Sequence, residues 1–199
     1  MLIVKPYRRD RALTYARTWA LGRNPLYVDF SGQGGNCTNF ASQCVLAGSC
    51  AMNYTADYGW YYISPDDRSP AWSGVEYFYR FLTGDPAYER RNGGVGPFAA
   101  EVTREGLEVG DVIQIAAQGT DWSHTMIVSG FDGDSDVLVC AHSVDSLDRP
   151  LSTYDYESIR FLHLLGVRVE EDDTVCYEYL LRGGGDGIDP EEDAEEGQQ

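Results

Sequence analysis

The feature that most constrains this chain is a change of hydrophobic period near residue 107. Upstream, apolar residues recur every three or four positions. Downstream, they sit in short strand-like runs separated by Gly, Asp and Ser. From Tyr7 to Leu21, the residues Ala12, Tyr15, Ala16, Trp19 and Ala20 form one helical stripe, and Gly22 with Asn24-Pro25 supplies a stop. The glycine-rich segment Ser31 to Asn36 leads into a second helix beginning at Cys37. Asn36 or Thr38 is expected near its N-cap, and Gly48 after its end. Val75, Phe78, Tyr79 and Leu82 mark a third helix, opened by Ser73 or Gly74 and closed by Gly84-Asp85-Pro86. The stretch from Tyr54 to Pro70 reads as a long ordered loop. Strands are expected at 111–116, 124–129, 136–142, 159–165 and 174–181. Helices first and strands afterwards predict an α+β class, with the N-terminal helices packed on an antiparallel sheet or half-barrel.

Length sets the domain count. A chain of 199 residues fits one domain, expected over 1–182. The segment 183–199 carries seven acidic side chains and no basic ones, and reads as a mobile, solvated acidic tail. The net charge is −17, and −10 without that tail, which excludes nucleic acid and an anionic membrane as partners. The opening MLIVKPYRRD resembles neither a signal peptide nor a membrane span, so the expected location is cytoplasmic. Five cysteines leave at least one thiol unpaired in a monomer. Cys37 and Cys44 lie two helical turns apart, too far to bridge. Neither a CxxC pair nor a zinc spacing occurs, so no metal or other cofactor is expected.

Cys37 stands where a glycine loop meets a helix N-terminus. Unpaired N–H groups and the positive end of the helix dipole there favour a thiolate and can hold an oxyanion. A cysteine in this place is more often structural, so it needs a base. Three histidines compete for that role. His163 lies inside the apolar run Phe161 to Leu165 and suits a satisfied structural position. His124 opens a strand and is placed to reach a helix head. His142 ends the next strand and could orient His124, with Asp145 and Asp121 as rivals.

The string Gly34-Gly35-Asn36-Cys37-Thr38-Asn39-Phe40-Ala41-Ser42-Gln43-Cys44 closely resembles the nucleophile motif of the Putative amidase domain family, a bacterial branch of the papain-like and CHAP amidases. Tyr7-Arg8-Arg9 to Tyr15-Ala16, Asn24-Pro25, Trp60-Tyr61-Tyr62, Trp72, Gly110 to Gln114 and Ser123 to Val128 follow in that family's order. The resemblance covers roughly residues 7 to 165. It implies a papain-like fold and amide cleavage, with Cys37 as nucleophile, His124 as base and His142 at the third polar position. Asn36 departs from the family's usual Asp, which removes that residue's charge-dependent contacts. Asn36 and Gln33 are the expected oxyanion or site-shaping residues. The resulting expectation is a cysteine hydrolase of peptide-like amides, including cell-wall peptides. A non-catalytic peptide- or glycan-binding module on the same scaffold is the alternative, and an acyltransferase a weaker third.

Overall fold

The computed structural model describes residues 1–133, 136–170 and 176–183. A short strand β1 (Ile3–Lys5) precedes α1 (Arg9–Trp19) and α2 (Cys37–Ser49). A small hairpin, β2 (Tyr62–Ser64) and β3 (Asp67–Arg68), leads to α3 (Pro70–Ser73), α4 (Val75–Thr83) and α5 (Pro86–Asn92). The strands β4 (Gly96–Val102), β5 (Val112–Ala116), β6 (Trp122–Asp132), β7 (Asp136–Ala141), β8 (Ser146–Pro150) and β9 (Ser158–Val169) follow. Helix α6 (Cys176–Leu181) comes last.

The main sheet is antiparallel, in the order β1-β9-β5-β6-β7-β8, with β4 also on β9. Leu162 pairs with both Val112 and Glu101, and Arg168 with both Val4 and Gly96. The long β9 therefore carries β5 and β1 along one edge and β4 along the other. The sheet curls into a half-barrel with two apolar faces. Val112, Ile127, Cys140 and Leu162 pack against the helices, while Ile113, Met126, Val128 and Val139 form a second cluster on the other side. Alternation along each strand produces this division. The structure is thus α+β with helices laid on a curled antiparallel sheet.

Helix α2 is the centre of the molecule, and every one of its residues is buried. A helix buried on all sides must satisfy its own polar side chains. Trp72 Nε1 donates to Asn39 Oδ1 (2.7 Å), Ser42 Oγ donates to the Trp72 carbonyl (2.8 Å), and Trp60 Nε1 donates to Ser42 Oγ (3.0 Å). Tyr15 OH donates to Gln43 Oε1 at 2.9 Å. The motif's Asn, Ser and Gln are thereby structural: they dock α2 onto α1 and α3.

Three sequence expectations need correction. Gly48 lies inside α2 rather than past its end. A Cβ there would stand 2.4 Å from the Tyr7 ring, and the Gly48 carbonyl accepts from Arg8 N–H at 2.9 Å. The cap is Cys50, in the left-handed region at φ 46°. The expected strand at 174–181 is also wrong, since Cys176–Leu181 is helical. A short apolar run fits either period. Here Leu180 is buried and its carbonyl accepts from Asn24 Nδ2 at 2.8 Å, a tertiary contact that settles the choice. Thirdly, within the expected loop from 54 to 70, residues 62–64 and 67–68 form the β2–β3 hairpin. Beyond Gly183 the acidic tail lies outside the described residues. No described helix is long and apolar enough to cross a membrane.

A disulfide between Cys50 and Cys176 ties the end of α2 to α6 across 126 positions of sequence. Closing a loop of that size removes about 4–5 kcal/mol of unfolded-state entropy in the chain model, and removal of native bridges typically costs 2–5 kcal/mol. Cys176→Ser, or reduction of the wild type, is expected to lower the melting temperature by roughly 10 °C. Melts that coincide with and without reductant would mean the bridge carries no stability.

Candidate active site

Cys37 is the first residue of α2, buried at the point where the helix head meets β6. Its Sγ lies 3.8 Å from the Thr38 hydroxyl and donates to the Ser123 carbonyl at 3.8 Å. One residue past Cys37 and two past Ser123, Thr38 Oγ1 and Thr125 Oγ1 hydrogen-bond at 2.9 Å. The nucleophile candidate is therefore held against the backbone flanking His124. The β5–β6 pairing slips here. Ile115 pairs with His124 but Ala116 with Trp122, leaving Ser123 as an extra residue. A bulge of this kind re-aims neighbouring side chains.

His124 shares the face of its cross-strand partner Ile115, and the Tyr154 ring stands 5.8 Å away. Burial, assisted by the positive charge of Arg149, pulls its pKa down to about 4. Arg149 reaches this region by lying 4.0 Å over the Tyr154 ring. The imidazole is accordingly neutral near pH 7.

Thr125 faces the opposite way and anchors a polar chain. Gln114 Nε2 donates to Thr125 Oγ1 (3.2 Å) and to the Val75 carbonyl (2.9 Å), and Arg160 Nε donates to Gln114 Oε1 (2.8 Å). Arg160 also reaches Glu76 at 2.9 Å and lies between the rings of Tyr79 and Trp122, at 3.6 and 4.1 Å. The buried Thr125, Gln114 and Arg160 support β6 behind the site. Sequence reading missed them because strand alternation marks Thr125 and Gln114 as core-facing without saying which polar group each meets.

The remaining expected residues divide clearly. Asn36 is buried, and its side chain points inward rather than to a substrate. Oδ1 accepts from Phe30 N–H (3.1 Å) and Asn39 Nδ2 (2.7 Å), and its own N–H donates to Ser143 Oγ (2.7 Å). Gln33 is exposed in the glycine loop, where its N–H donates to the Phe30 carbonyl at 2.9 Å. His142 does not orient His124. Its ring stacks on Phe40 at 4.0 Å, with Nδ1 2.8 Å from Asn36 Nδ2 and Nε2 2.9 Å from the Trp19 carbonyl. Asp145 is engaged by Arg23 at 2.9 and 3.0 Å, and Asp121 is exposed in the turn before β6. His163 Nδ1 meets Asp111 at 2.8 Å, far along β9 in a structural cluster. Ser143 holds a left-handed backbone (φ 83°) directly against the loop, since a Cβ on Gly35 would stand 3.3 Å from its hydroxyl. Among the described residues, no group of three or more His, Cys, Asp or Glu is arranged to hold a metal.

The candidate site of this α+β domain is thus a thiol at the head of a fully buried helix, set against a histidine-bearing strand of a curled antiparallel sheet. The chain belongs to the Putative amidase domain family, whose model matches residues 6–165, and membership points to an amidase-like hydrolase. It is similar to the Bacillus subtilis (strain 168) protein described as uncharacterized protein YhbB, at 33% identity over 153 residues. That match takes in 75% of this chain but 45% of the relative, so the chain spans less than half of that protein's length. No solved structure matches the chain.

Proposed function

We propose that this protein is a cysteine hydrolase of peptide-like amides, with Cys37 as nucleophile and His124 as general base. The observation that carries this reading is the contact between Cys37 Sγ and the carbonyl immediately before His124 (3.8 Å). The S–H donates to that carbonyl, and burial keeps the His124 imidazole neutral near pH 7. In the reaction the His124 ring, which rests on the Ile115 face of β6, swings at the Ser123 bulge to the sulfur and takes its proton. Sulfur then attacks the amide carbon. The C–O⁻ that forms is held by the unpaired N–H groups in the first turn of α2. The C–N bond breaks as His124 returns its proton to the leaving nitrogen. Water, deprotonated by His124, then cleaves the thioester, releasing the acid and restoring the thiol.

The Cys50–Cys176 bridge favours an oxidising setting over the cytosol, because reducing compartments do not sustain such bonds. That supports extracellular peptides, such as those of a cell wall, as the substrate class.

A peptidyl chloromethyl ketone tests the assignment directly. Alkylation is expected at Cys37 ahead of the two other free thiols, Cys44 and Cys140. Equal or slower labelling of Cys37 would leave only a binding module. The pH profile gives a second check. A base with its pKa near 4 stays neutral well below the ordinary histidine range, so kcat/KM should hold from about pH 7 to 5 and collapse only as pH falls through about 4. An acid limb near 6.5, the ordinary histidine value, would exclude the buried His124 as the base.

A further inference from the structure

We propose that His142 is a positioning residue that acts on the nucleophile through Asn36, holding the turn that aims Cys37. This rests on the reading of Cys37 as nucleophile, and it assigns His142 a partner other than His124.

The argument is one of hydrogen-bond direction. Trp72 Nε1 can only donate, and it donates to Asn39 Oδ1 at 2.7 Å. That fixes the Asn39 amide with its nitrogen outward, donating to the Val28 carbonyl (3.0 Å) and to Asn36 Oδ1 (2.7 Å). Phe30 N–H, another obligate donor, meets the same Asn36 oxygen at 3.1 Å. Asn36 therefore turns its NH₂ toward His142 Nδ1, which must accept. The proton of His142 then sits on Nε2, facing the Trp19 carbonyl at 2.9 Å, a group that can only accept. With Trp72 Nε1 and the Phe30 N–H as donor-only ends and the Val28 and Trp19 carbonyls as acceptor-only ends, the pattern that satisfies them is neutral His142 protonated at Nε2, while Arg23 NH1 donates to the Gly22 carbonyl and Asp145.

What this relay holds is the residue before the nucleophile. Asn36 is bonded through its side-chain oxygen, its side-chain nitrogen and its backbone N–H, and its carbonyl accepts the Phe40 N–H that begins α2 (3.0 Å). Any rotation of residue 36 swings the N–H groups and the sulfur of the first turn. A second proton on His142 would set N–H against N–H at Asn36 and break the relay. Burial opposes that proton, as does Arg23, whose NH1 lies 3.4 Å from Nε2. The Trp19 carbonyl, Asp145 and Asp29 oppose this, the two carboxylates while themselves paired with Arg23.

The test uses the full chain, ¹⁵N-labelled, with His142→Ala and His142→Gln. Gln can accept from Asn36 and donate to Trp19 without titrating. Wild-type imidazole ¹⁵N shifts should show His142 as the neutral Nε2–H tautomer from pH 7 to 8. His142→Ala should lower both kcat and the iodoacetamide reaction of Cys37 by about tenfold, with KM little changed and the His124 resonances in place. His142→Gln should restore both rates to within about threefold of wild type. An Nδ1–H tautomer, a folded His142→Ala with wild-type Cys37 reactivity, or displaced His124 resonances would overturn the proposal. If His142→Ala does not fold, the tautomer and His142→Gln decide. A folded His142→Gln slowed as far as tenfold overturns it, because the imidazole itself would then be required. Wild-type protein that cleaves no amide counts against the hydrolase reading alone, since the tautomer and the alkylation rates need no turnover.

Discussion

Cys37→Ala is expected to lose amide hydrolysis by at least about 10⁴-fold, the scale on which nucleophile removal acts in thiol and serine hydrolases. Residual turnover would come only from substrate binding and the helix-head N–H groups. His124→Ala should cost less, about 10²–10⁴-fold, the usual contribution of a positioned base. The two changes act on one proton transfer, so the double variant should be no slower than Cys37→Ala alone. Cys37→Ala deletes one sulfur from a buried site, so stability should fall by no more than about 1 kcal/mol. Wild type and Cys37→Ala run side by side on peptide and muropeptide libraries provide both the substrate and the check. Hydrolysis that survives in folded Cys37→Ala would remove the thiol from the mechanism.

Asp111→Ala is expected to destabilise the protein by about 3–5 kcal/mol, the cost of breaking a buried ion pair by removing one member. Asp111 is fully buried at the start of β5. Its two oxygens accept from Arg9 NH1 (2.6 Å), Leu164 N–H (2.9 Å), Glu108 N–H (2.8 Å) and His163 Nδ1 (2.8 Å). One carboxylate thus joins α1, the turn into β5 and β9. Without it, Arg9 keeps the Leu164 carbonyl and Glu108 but loses its buried counter-charge. A melting temperature roughly 10 °C lower or more should follow for a domain of this size. Asp111→Asn, which keeps one acceptor but turns an NH₂ toward two donors, should fall between. A melt for Asp111→Ala that matches wild type would show that the cluster contributes no net stability.

Much of the architecture was readable from period alone. The apolar stripes of α1 and α4 and the runs of β5, β6, β7 and β9 lie where the spacing put them, and α2 begins at Cys37 as its glycine loop suggested. The strands β1, β4 and β8 went unread. β1 is three residues long, β4 carries Gly96 and Pro97, and β8 includes Asp148, Arg149 and Pro150. Such segments become strands because β9 and β7 offer them edges, not through their own pattern.

The candidate site divides the same way. A thiol at a helix head after a flexible glycine loop is a local property, visible in about ten residues, as is a histidine at the mouth of a strand. Which polar groups surround them is not local. His142 sits 18 positions from His124 and 106 from Asn36, and only the crossing of α2 with the end of β7 brings its ring to Asn36. Cys50 and Cys176 meet for the same reason, across 126 positions. Period and turn chemistry act over a few residues and determined the elements and the candidate pair, Cys37 and His124. Hydrogen-bond direction, burial and long-range pairing depend on how those elements pack, so the partners of His142, the lowered pKa of His124 and the disulfide were decided by tertiary structure.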